Sequence, residues 1–169
     1  MAIRPMTFDT TVSIVALPHD AAFDQDKVLR ARGEESDTPL LETYYRKAKI
    51  HPGCWRELLG EFIRDGHTPT EFICGPMTGE DLARLEDECL AHDPPKQSEL
   101  FWRAFLLSVR DIKGIDVKKV GKVKRKGVEY LDPDWLSEAF GYGKMRKVAR
   151  EIGTLAFAWN QVADGEVKN

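Results

Sequence analysis

Three observations predict a mainly α fold with a minor β component (α+β). Apolar residues recur at helical spacing in several windows, glycine or proline closes nearly every window, and runs of strand character are few and short. The expected architecture is a small helical domain with a short N-terminal β region and a basic β-hairpin excursion. The 169 residues suit a single domain over 1–169, long enough to bury a core without disulfides or metal.

The run from Thr10 to Leu17 is β-branched and stops at Pro18, so it reads as a short strand. From 19 to 42 the carboxylates of Asp20, Asp24, Asp26, Glu34, Glu35, Asp37 and Glu42 face only Lys27, Arg30 and Arg32. With few large apolar residues there, 19–42 is expected to be a flexible acidic loop or arm. A helix is expected from Pro39, capped by Asp37 or Thr38, to the stop at His51-Pro52-Gly53. Trp55, Leu58, Leu59, Phe62 and Ile63 then predict a second helix, and Thr70–Cys74 a short strand cut by Gly75-Pro76. Thr78 is a good helix N-cap, with Asp81 three residues on; Leu82, Leu85, Cys89 and Leu90 share one face up to Pro94-Pro95.

Leu100 to Ile112 reads as the most apolar helix, its stripe of Leu100, Phe101, Ala104 and Phe105 widened by Trp102, Leu106 and Val109. The stretch 117–130 predicts the hairpin, with its turn at Lys126-Gly127. Asp132-Pro133-Asp134 starts a short helix that ends at Gly141 or Gly143. Met145, Val148, Ile152, Leu155, Trp159 and Val162 define the last helix, and the polar residues 164–169 are expected to fray.

With 25 Lys+Arg against 28 Asp+Glu, the net charge of -3 excludes a strongly basic nucleic-acid packager. No apolar run is long enough to span a bilayer, and Met1–Met6 lacks an apolar signal core, so a cytoplasmic protein with no membrane partner is expected. Three cysteines without a Cys-x-x-Cys pair predict reduced thiols.

The sharpest chemical candidate is a zinc set. His51-x-x-Cys54 and Cys89-x-x-His92 together supply two sulfurs and two imidazoles, as tetrahedral zinc requires. The pairs are separated by several predicted elements, however, and each residue fits a helix stop or an apolar face, so no metal and no cofactor are expected. No Gly-x-Ser-x-Gly or phosphate-loop motif is present, and the paired carboxylates sit at helix starts and solvated faces. The expected catalytic set is therefore empty. Lys113, Lys118, Lys119, Lys122, Lys124, Arg125 and Lys126 form a basic patch offset only by Asp116. Without interleaved aromatics it is a weak nucleic-acid site, and a protein-facing or solvated hairpin is the favoured reading.

From Thr68 onward the order of features resembles tail assembly chaperones of long-tailed bacteriophages. The matching pattern is Pro69-Thr70-Glu71-Phe72-Ile73-Cys74-Gly75-Pro76 followed by the acidic helix after Thr78. Phe101-Trp102-Arg103-Ala104-Phe105-Leu106 comes next, then a polar excursion. The closing helices carry Asp134-Trp135-Leu136 and Val148–Leu155. The terminal Glu166-Val167-Lys168-Asn169 resembles the point near which such proteins are extended by ribosomal frameshifting. The resemblance implies a small, helical, non-enzymatic protein of the host cell cytoplasm. It would bind the tape-measure protein, help recruit tail-tube subunits, and could self-associate. Trp102, Phe105, Leu106 and Trp159 are the expected client contacts, since aromatics on helix faces serve as interface anchors as well as core. Two rival readings remain: a structural or connector protein of the virion, and a small nucleic-acid-binding regulator using 113–126.

Overall fold

The segment from Asp20 to Gly33 departs most from expectation. In the structure, a computed structural model that describes residues 7–33 and 39–168, this segment is folded against the core. Asp20 accepts hydrogen bonds from the backbone N–H of Ala22 (2.9 Å) and Thr70 (2.7 Å), and Gln25 donates to the carbonyls of Leu17 and Asp20. Phe23 forms a lone β-bridge with Ile63. Asp24 then caps α1 (Gln25–Gly33) by accepting from the Lys27 N–H. Phe23 and Val28 flank that cap and are both buried. The part of the expected acidic arm from 20 to 33 is thus corrected to a turn and a capped helix, with Asp20 and Asp24 used for local anchoring, and 34–38 lie outside the described residues. The expected caps Asp37 and Thr38 lie outside the described residues.

Next comes α2 (Pro39–Ala48), which buries Leu41, Tyr44 and Ala48. The helix expected over 55–63 is broken. A 3-10 turn (Pro52–Cys54), the short α3 (Trp55–Leu58) and a second 3-10 turn (Gly60–Phe62) follow one another, with the helix interrupted at Leu59. Ile63 is pulled into extended backbone by its bridge to Phe23.

The main sheet contains β1 (Val12–Ile14), β2 (Glu71–Cys74) and β3 (Val109–Lys113), all antiparallel, in the order β1-β2-β3. Ile14 lies opposite Phe72, and Phe72 opposite Ile112, so one row of buried residues crosses the sheet. α4 (Gly79–Leu85) begins where expected: the Thr78 hydroxyl accepts from the Asp81 N–H at 3.0 Å. A π-helical turn (Glu86–Leu90) extends α4 and buries Cys89.

α5 (Gln97–Ser108) is shorter than expected because the chain turns straight into β3 at Val109. Ser108 marks the switch. Its hydroxyl donates to the Ala104 carbonyl, while its own carbonyl accepts from the Gly75 N–H on the β2 side. Val109 and Ile112 gain more as buried strand residues, and the register shift between Ile73 and Cys74 accommodates Arg110.

The hairpin is β4 (Lys122–Arg125) and β5 (Val128–Leu131), a separate two-stranded sheet. Its turn residues Lys126 and Gly127 both have positive φ, +48° and +79°, the requirement of a tight type I′ turn. α6 (Pro133–Phe140) is capped by Asp132, and α7 (Gly143–Lys168) closes the chain. The residues 164–168 continue α7; Asn169 lies outside the described residues.

The core sits where α5 and α7 cross the sheet. Phe72, Phe105 and Phe140 meet edge to face with centroids 5.2–6.0 Å apart. A second apolar cluster, with Met77, Leu85, Cys89, Leu100 and Phe157, joins α4 to α5 and α7. Buried Asn160 locks the two together: it accepts from the Met77 N–H and donates to the Ala156 carbonyl. Among the described residues there are seven helices and two small antiparallel sheets, 53% helix against 15% strand, which is the α+β class. No helix among them is long and apolar enough to cross a membrane.

Candidate protein-docking surface

The residues expected to contact a client are largely internal. Phe105 is fully buried between Phe72 and Phe140, and Trp159 is buried on α7. Trp102 is half-buried: Phe105 stacks on one side (5.9 Å, 22°) and the Arg146 guanidinium lies 3.7 Å from its ring centroid. Leu106 is half-buried and, with Leu107 and Pro133, lines a cleft of about 190 Å³ whose rim carries Asp81, Arg84 and Arg103. Those cations are engaged, Arg84 with Glu80 and Arg103 with Glu88.

The zinc set does not assemble. His51 and His92 are exposed; Cys54 packs against the main core and Cys89 within the second cluster. Among the described residues no three of His, Cys, Asp and Glu are placed to share an ion. Burial pushes the Cys54 thiol up and the Cys74 thiol up to about 12, so neither is an activated nucleophile.

Of the basic patch, Lys118, Lys119, Lys122, Lys124 and Lys126 are exposed, whereas Arg125 turns inward. Arg125 donates to the Leu107 carbonyl and lies 5.0 Å over the Tyr130 ring, and burial lowers its pKa. Arg110 reaches the same ring at 5.6 Å and donates to the Glu129 carbonyl. Arg125 therefore ties the hairpin to the core, the five lysines form the accessible patch, and exposed Lys113 ends β3.

Large apolar side chains stay open at Leu29, Ile50, Ile115, Tyr142 and Met145, and two of these share a cleft. Ile115 is 36% exposed and Met145 39%, and both line one cleft of about 140 Å³. Its floor is Ala16, Phe72 and Val148, supplied by the end of the β1 segment, β2 and α7. Gly114 (φ +102°) makes the turn after β3 that brings Ile115 to the rim; a Cβ added there would lie 3.6 Å from the Thr70 Cα. Tyr142, 80% exposed, immediately precedes α7, three residues before Met145 in the chain. On the polar side stand His19 and Asp20. Burial, then Lys147 and Arg32, lowers the His19 pKa, which favours the neutral ring. Asp20 already accepts from two backbone N–H groups. The cleft thus offers apolar contact and shape.

Sequence periodicity placed Met145 on a core face and gave Ile115 no role. The available signals were an isoleucine inside the Gly114-Ile115-Asp116 turn and a tyrosine between two glycines. Compared with known proteins, the chain matches no protein-family model, and no curated protein or solved structure matches it either.

Proposed function

We propose that this chain is a non-catalytic assembly chaperone that grips another protein at the Ile115–Met145 cleft. Following the resemblance set out above, it acts as a tail assembly chaperone of a long-tailed bacteriophage. It binds the tape-measure protein and helps recruit tail-tube subunits in the host cytoplasm. The observation that supports the binding role is the convergence of Ile115 and Met145 on one apolar cleft. A site of about 140 Å³ is smaller than the roughly 300–1,000 Å³ of ordinary small-molecule sites. It suits one large side chain of an apolar client segment, anchored at a pocket and surrounded by weaker contacts.

Hydrogen exchange of the full chain, with and without the tape-measure protein of the same phage, tests this. Added protection is expected at 114–117 and 142–149. Protection confined to 100–112, or none, would sink the cleft assignment. Mass spectrometry of purified particles tests the chaperone role separately, because a stoichiometric virion component would be a structural protein.

A further inference from the structure

Among the described residues, no strand pairs with the outer edge of β4 in the hairpin. In the β4–β5 pair, the Asp132 N–H donates to the Gly121 carbonyl at 2.9 Å, which sets the phase of the ladder. Gly121, Val123 and Arg125 therefore direct their backbone groups toward β5, and Lys122 and Lys124 direct theirs away. The sheet holds β4 and β5 only, and among the described residues no hydrogen bond takes up the outward N–H and C=O groups of Lys122 and Lys124. Both side chains are exposed, and Lys118, Lys119 and Lys126 add charge nearby. Among the described residues Glu129 alone forms a salt bridge to this strand, 3.6 Å from Lys122, while Asp81 acts on Arg125 at longer range.

We propose that the outer edge of β4 is a strand-addition site for an extended, acidic segment of a partner protein. Its main chain pairs with Lys122 and Lys124, and carboxylates at alternate positions face the two ammonium groups. A second copy of the same edge is a poor occupant, because it sets lysine against lysine. Nucleic acid is the weaker fit, since Tyr130 is fully buried and no exposed aromatic of the hairpin can stack a base. This inference concerns a different surface from the Ile115–Met145 cleft and stands without it.

The test uses the full chain and the peptide acetyl-Thr-Glu-Val-Glu-Val-Thr-amide, followed by amide NMR. Saturable shifts are expected at the Lys122 and Lys124 amides, with their hydrogen exchange slowed. The double variant Lys122→Glu, Lys124→Glu should bind this peptide roughly tenfold more weakly and gain affinity for its lysine-for-glutamate counterpart. A peptide N-methylated along its pairing edge should lose binding to the unaltered chain. Absence of saturable shifts at millimolar peptide would overturn the proposal. So would binding that leaves the two amides unprotected, or a single-stranded oligonucleotide that displaces the peptide.

Discussion

At the scale of single residues, burial separates anchors from core. Trp102 and Phe105 look like interface aromatics in sequence, yet Phe105 has no exposed surface and Trp102 is sandwiched by Phe105 and Arg146. Cys74 makes burial measurable. It is fully buried, and desolvation pushes its thiol up to about 12, the Ser108 hydrogen bond opposing. A thiol in the unfolded chain ionises near pH ~8.5. Above that pH the unfolded chain loses a proton that the folded chain keeps, so stability falls as pH rises toward 12. Burial raises the Tyr44 and Tyr130 hydroxyls as well, which adds to the fall. The urea midpoint should therefore drop between pH 8 and 10.5, and Cys74→Ala should flatten part of that slope. Lys126 offers the opposite test. It holds a left-handed conformation at φ +48° that disfavours most L-residues by roughly 1–2 kcal/mol. Lys126→Asn should stabilise the chain by up to ~1 kcal/mol in denaturant unfolding, because asparagine tolerates that region.

At the scale of elements, the α5–α7 crossing governs. A Cβ on Gly153 would lie 1.8 Å from the Phe101 carbonyl oxygen, backbone that cannot move aside without separating the helices. Gly153→Ala should therefore cost about 3 kcal/mol, read as a lowered denaturation midpoint, despite alanine's better helix propensity. Helix starts were legible element by element: Thr78 and Asp132 cap as their chemistry demands. The end of α5 was not, because Val109 and Ile112 continue an apolar helical pattern while β2 offers them a strand partner. α1 is hard to see in sequence for a different reason. The acidity of 19–42 masks a local signal, Asp24 as cap with Phe23 and Val28 on either side of it.

At the scale of the molecule, the docking surface and the core make opposite predictions. Ile115→Asp and Met145→Asp alter rim positions that are 36% and 39% exposed, so unfolding free energy should fall by only about 1–2 kcal/mol as their remaining apolar burial is lost. Client affinity should fall by tenfold or more, since a charge would enter an apolar anchor site. Phe105→Ala should instead lower stability by about 3–5 kcal/mol. Equal loss of binding and of folding in the rim variants would place Ile115 and Met145 in the core instead. The α+β class, the glycine and proline stops, the Lys126-Gly127 turn and the caps at Thr78 and Asp132 can all be read along the chain. Each depends on residues close in sequence, where φ preference and side-chain hydrogen bonding act locally. The passage of α5 into β3, the inward turn of Arg125 and the meeting of Ile115 with Met145 across a cleft floored by Phe72 arise from packing alone. Those outcomes join residues far apart in the chain, and burial, which selects among them, is set by which elements pack together.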